Sequence, residues 1–163
     1  MPELPEVETI ARGVHARVHG DRIVDTWFGS HSEPFKTPPA RQARGLLDRT
    51  ILAVHRTGKH IVFELSPAGG GASGAPPGKS AAQWTVHLGM TGRLLVTTPE
   101  ASVAPHTHAR LTVASGRELR FVDPRRFGRL EFRDLARTEG FAAAGSSSNP
   151  TSEARAGSRA RRP

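Results

Sequence analysis

Cysteine is absent from all 163 residues. That excludes a disulfide framework, a thiolate zinc finger and a cysteine nucleophile. No apolar run approaches the roughly 20 residues that a membrane-crossing helix needs. The start, Met1-Pro2-Glu3, is acidic and unlike an export signal, so a cytoplasmic location and no membrane insertion are expected. Negative charge is also scarce: 15 Asp and Glu face 23 Lys and Arg, a formal net charge of +8, with a pI near 11.4. Such a balance calls for a polyanionic partner, nucleic acid or an anionic membrane surface. With 36% hydrophobic residues, the length suits one domain that buries about two-thirds of its unfolded surface.

What is present reads first as a helix. Val7, Ile10, Val14 and Val18 recur at spacings of three and four, and Gly20 follows as a stop. Pro5 suits a first helical turn, where a missing N–H costs nothing. A second short helix is expected over 40–47, after Pro38-Pro39. Most of the rest reads as strands: 22–28, 51–56, 60–65, 84–88, 93–97, 109–114, 118–122 and 129–132, rich in β-branched or aromatic residues and punctuated by turns. Thr57-Gly58-Lys59 separates two of them, and Ser115-Gly116 is a hairpin signal. The spacing predicts a mainly β fold with flanking helices, a two-layer antiparallel β-sandwich rather than a parallel α/β sheet.

Two stretches have the composition of unstructured chain. Residues 66–82 contain Gly69-Gly70-Gly71, Gly74, Pro76-Pro77 and Gly78, and are expected to be a flexible loop. Gly78-Lys79-Ser80 matches the end of a phosphate-binding loop by letters, without its strand–turn–helix setting or full glycine spacing. From 136, and most clearly from Ala142, the chain becomes Ala/Gly/Ser/Arg-rich, with Arg155, Arg159, Arg161 and Arg162 against Glu153. A disordered basic tail over 136–163 is expected. More than half of the net positive charge remains on the body of the chain.

Three carboxylates, Glu3, Glu6 and Glu8, fall within the first eight residues. Acids in a first helical turn complement the macrodipole, and spacing alone favours that role. Pro2 offers another. If Met1 is removed, its secondary amine, with an α-amino pKa of roughly 8, can attack an electrophilic carbon and form an iminium linkage. Glu3 and Glu6 then stand within reach as proton-transfer groups. His106-Thr107-His108 places two imidazoles two residues apart, and a strand-entry structural role is expected there rather than a metal site.

The opening Met1-Pro2-Glu3-Leu4-Pro5-Glu6-Val7-Glu8-Thr9 resembles the N-terminus of the formamidopyrimidine-DNA glycosylase/endonuclease VIII family, and is closer to the formamidopyrimidine branch. Three further blocks agree in the same order: Gly58-Lys59-His60, His87-Leu88-Gly89-Met90-Thr91-Gly92 and Asp123-Pro124-Arg125-Arg126-Phe127-Gly128. Together they cover residues 1–135 as an N-terminal catalytic domain. The resemblance implies base-excision repair of oxidised purines, 8-oxoguanine and formamidopyrimidine, by a bifunctional glycosylase and abasic-site lyase. Pro2 is then the nucleophile at the sugar C1′, Glu3 the general acid at the sugar ring and Glu6 a support of the local network. Lys59 contacts phosphate and assists elimination, and His87 is a phosphate contact.

Extruding a nucleotide leaves a gap in the base stack that costs a few kcal/mol unless it is filled. The resemblance assigns this filling to Met90, Arg125 and Phe127. Without it, Met90 and Phe127 would be expected in the core. Arg110, Arg117, Arg120, Arg126, Arg129 and Arg133 give this half its charge, most of them read as solvated strand-face residues with a few for phosphate.

The family continues into a helix-two-turn-helix domain and a zinc finger or equivalent hairpin, for which no counterpart is seen here. No cofactor or metal is therefore expected. The partner is double-stranded DNA carrying an oxidised base or an abasic site, bound by a monomer. An impaired, truncated enzyme is the leading expectation; a non-catalytic DNA-binding remnant and an incomplete gene product are the alternatives.

Overall fold

The computed structural model describes residues 3–68 and 80–135. Pro2, the glycine-rich stretch 69–79 with most of its phosphate-loop look-alike, and the tail 136–163 lie outside the described residues. The chain divides into residues 1–133 and 134–163, and the fold below belongs to the first of these units, with β8 running on to Asp134.

Helix α1, Leu4–Val18, begins where Pro5 predicts. The Glu6 carboxylate accepts the Glu3 backbone N–H at 2.7 Å, satisfying an amide at the helix start that would otherwise lack a partner. Val7, Ala11, Val14 and Val18 are buried, while Ile10, part of the expected stripe, packs at its edge. The helix lies chiefly on strand β2, Ile51–Thr57, with lesser contact to β3, His60–Leu65, and β5, Arg93–Thr97. Helix α2, Pro39–Leu46, packs against β1, Ile23–Phe28.

The remaining strands are β4 (Ala82–His87), β6 (Thr107–Val113), β7 (Glu118–Val122) and β8 (Arg129–Asp134). They assemble as two four-stranded sheets, β1-β6-β7-β5 and β2-β3-β4-β8. The expected antiparallel two-sheet fold is what forms. Inward-facing Phe63, Trp84, Leu111, Leu119, Phe121 and Leu130 are almost wholly shielded from water. One polar side chain sits among them. Gln42 donates to the Thr37 and Leu130 carbonyls at 2.7 and 3.1 Å and accepts the Trp84 indole N–H at 2.8 Å. It thereby ties α2 to β4 and β8 and leaves no buried indole donor unpaired.

Two sequence expectations need correcting. The loop assigned to 66–82 is shorter at both ends. Ser66 is buried and pairs with Thr50 through both its N–H and its hydroxyl, Ala81 donates to Leu65, and Ala82 opens β4. Arg120, grouped with solvated arginines, is buried beside Glu118. It also donates to the Thr98, Pro99, Ala101 and Ser102 carbonyls, pinning that loop. Its alternating position was legible; that the 98–102 loop folds over it was not. His106 and His108 differ in setting at the start of β6. His106 precedes β6 at φ +68° and is exposed, whereas His108 is buried and donates through Nε2 to the Asp123 carbonyl at 2.8 Å.

Candidate nucleic-acid interface

Four segments far apart in sequence meet at one end of the sandwich. The first is the opening turn of α1, which carries Glu3 and Glu6, both exposed. The second is the β2–β3 turn, where Gly58 at φ +59° reverses the chain and presents Lys59. The third is the loop leaving β4 through His87, Leu88, Gly89 and Met90. The fourth is the loop Asp123–Gly128 between β7 and β8. Val7, Lys59, His87, Leu88 and Gly89 line one narrow crevice, so the helix start, the lysine turn and the β4 exit are neighbours. Pro2 precedes this helix but lies outside the described residues.

Beside the crevice a cleft of about 430 Å³ opens between Glu6, Ile10, Met90, Gly92, Arg93 and Leu94. Its walls are largely apolar, with one carboxylate and one guanidinium at the rim. A planar, partly polar group fits such a lining better than a fully charged one.

His87 stands opposite His60 across the β3–β4 ladder, with ring centroids 4.8 Å apart. Burial holds the His87 imidazole below its ordinary range, and the positive charges of His60, Arg129 and Lys59 press it in the same direction. A neutral imidazole ringed by cations is a ready anion contact, because an arriving phosphate reverses the repulsion. Lys36, His60, Thr85, His87, Arg129 and Glu131 surround an adjoining hollow of about 170 Å³ on the outer face of this sheet. His60 and Arg129 were not picked out as site residues in the sequence. Only the strand register brings them beside His87.

Met90 and Phe127 contradict the ordinary rule for large apolar side chains: they are 49% and 47% exposed. Arg125 lies over the Phe127 ring, its guanidinium carbon 4.8 Å from the centroid, a cation–π pair that keeps two exposed groups together. Arg126 turns away. At φ +58° it reaches His31 and Glu33, at 3.3 and 3.6 Å.

Behind these tips sits Asp123, fully buried. Its carboxylate accepts the Thr91 hydroxyl at 2.6 Å and the Gly128 and Arg125 backbone N–H groups at 2.7 and 3.3 Å. Its own N–H donates to the His106 carbonyl at 3.0 Å. Asp123 and Thr91 belonged to the sequence blocks already noted, yet neither carried a signal of its own.

Comparison with known proteins agrees with this geometry. The model of the family described as formamidopyrimidine-DNA glycosylase N-terminal domain matches residues 1–130. The formamidopyrimidine-DNA glycosylase of Moorella thermoacetica is 39% identical over 139 residues, 85% of this chain and 46% of that protein. The protein of the same name from Cronobacter sakazakii is 35% identical over 129 residues, 78% of this chain and 42% of its own length. Among solved structures, Lactococcus lactis Fpg (MutM) in complex with DNA containing N7-benzyl-Fapy-dG superposes with a TM-score of 0.70 at 25% identity, covering 87% of this chain and 47% of that one. Its complex with abasic-site DNA gives 0.69, covering 87% and 48%. The chain thus spans about half the length of the relatives it matches.

Proposed function

The chain belongs to the formamidopyrimidine-DNA glycosylase N-terminal domain family, and from that premise we propose that it binds damaged duplex DNA and excises oxidised purines through its N-terminal proline. The convergence of the α1 start, Lys59, His87 and the exposed Met90 and Phe127 tips at one end of the sandwich carries this reading.

With Met1 removed, the Pro2 nitrogen attacks C1′ of the extruded nucleotide. The bond to the base breaks, and the departing base, which takes the bonding pair, picks up the proton that the Pro2 nitrogen gives up after its attack. Glu3 donates a proton at the sugar ring oxygen, which opens the ring and leaves an iminium between Pro2 and C1′. Loss of a C2′ proton then expels the 3′ phosphate, and a second elimination expels the 5′ phosphate. Lys59 holds the flanking phosphate and assists these steps, with His87 as its neighbour on the backbone. Glu6 sits at the rim of the apolar cleft, where its carboxylate supports the local network. Met90, Arg125 and Phe127 enter the vacated stack, where filling offsets the few kcal/mol that unstacking costs. No cofactor takes part.

Borohydride trapping tests the chemistry. The full chain is incubated with abasic-site duplex and the reductant, and a covalent adduct is sought on a denaturing gel. An adduct that peptide mass spectrometry maps to Pro2, and that is missing from protein retaining Met1, is the expected result. A native-gel shift without any adduct overturns the enzymatic reading in favour of a DNA-binding module. Loss of both leaves neither standing.

A further inference from the structure

We propose that Asp123 is a positioning residue that locks the Met90 loop and the Arg125–Phe127 loop into a single two-pronged wedge, so that the two prongs enter DNA together. The proposal rests on the functional reading above for what the wedge enters, but the lock itself is a property of the chain alone.

Three observations carry it. The Asp123 carboxylate spans both loops, with the Thr91 hydroxyl of one on Oδ1 and the Gly128 N–H of the other on Oδ2. The residue is fully buried, so no water competes for either oxygen, and a carboxylate acceptor gives the stronger class of hydrogen bond. Independently, the two loops touch through glycine backbone. A side chain at Gly89 would come within 2.8 Å of Phe127 C and Gly128 N, and one at Gly128 within 2.7 Å of the His87 carbonyl. The prongs themselves, Met90 and Phe127, make no use of this anchor and remain half exposed. The packing fixes their bases and leaves their tips free.

A lock of this kind makes the prongs energetically dependent on each other. Filling one gap with two side chains needs the two tips at a set separation, and an entropy cost falls on whichever loop must be ordered at the moment of binding. With the loops already joined, ordering one orders the other. Thr91→Val removes the hydroxyl bridge while leaving both Asp123 bonds to the second loop in place. Thr91→Ser restores the bridge.

Two measurements test the proposal on the full chain. Without DNA, amide exchange at Gly128 is followed by NMR. Thr91→Val is expected to speed it at least tenfold, and Thr91→Ser to leave it near the parent rate, although residue 91 lies in the other loop. Unchanged Gly128 exchange in Thr91→Val overturns the lock. With DNA, a double-mutant cycle is run on affinity for an abasic-site duplex using Met90→Ala and Phe127→Ala. In the parent chain, the joint loss is expected to fall short of the product of the single losses by about fivefold or more, and in Thr91→Val to equal that product. Simple multiplicativity in both backgrounds overturns coupled insertion. If the parent chain binds abasic and intact duplex equally, the DNA reading fails, and the exchange result alone then decides the lock.

Discussion

Gly89→Ala tests the geometry of the candidate interface without reference to any substrate. Gly89 adopts φ +66°, a left-handed conformation that costs an L-residue about 1–2 kcal/mol. Its missing Cβ would also lie 2.8 Å from Gly128 N and Phe127 C and 2.9 Å from the Phe127 carbonyl oxygen. These are backbone atoms, so no rotamer change relieves the clash, and overpacking of this kind costs about 1–3 kcal/mol. The two terms predict a loss near 3 kcal/mol. Gly58→Ala is the matched control, since its φ is +59° but nothing lies within 4 Å of the added carbon. It should cost only the backbone term, about 1 kcal/mol. Urea unfolding monitored by tryptophan fluorescence measures both. A gap near 2 kcal/mol, equivalent to about 4–8 °C in thermal midpoint for a chain of this size, is expected. Should the two variants agree within about 0.5 kcal/mol, well inside the error of linear extrapolation, the loops do not abut as described and the paired-wedge geometry fails with them.

Further expectations follow from particular contacts. Met90→Ala and Phe127→Ala should each weaken abasic-site binding while changing stability by no more than about 0.5 kcal/mol, as for other exposed positions; thermal melts and fluorescence anisotropy read the two effects separately. Lys59→Ala should reduce the slope of log affinity against log salt by about one phosphate contact, seen in anisotropy titrations at several salt concentrations. His87 is held below its ordinary 6.5 in the free protein, so it contributes stability above that pH that is lost as pH falls through its lowered value. Phosphate favours the charged imidazole, so DNA binding takes up a proton and tightens as pH falls toward the lowered value of the free protein; His87→Gln should flatten that dependence in pH-resolved anisotropy. Gln42→Met strands the Trp84 indole donor and removes the donor shared by two carbonyls, and should cost about 2–4 kcal/mol by urea titration, at about 1–3 kcal/mol for a stranded group.

Much of this protein is written locally. The period of Val7, Val14 and Val18 and the placement of Pro5 determine α1. Alternating apolar residues such as Trp84 and Val86, or Leu130 and Phe132, determine strands and the face each one buries, because side-chain direction repeats with the backbone's own period. The four sequence blocks and the excess of basic residues determine the family resemblance and a polyanionic partner. The tertiary structure decided the rest. It buried Arg120 under the 98–102 loop, set His60 and Arg129 around His87, left Met90 and Phe127 in solvent, and placed Thr91 on the carboxylate of Asp123, 32 residues on. Such contacts join positions with no periodic relation along the chain. They exist only once the two sheets have stacked and their connecting loops are forced together, and local pattern has no means of encoding which loops those are.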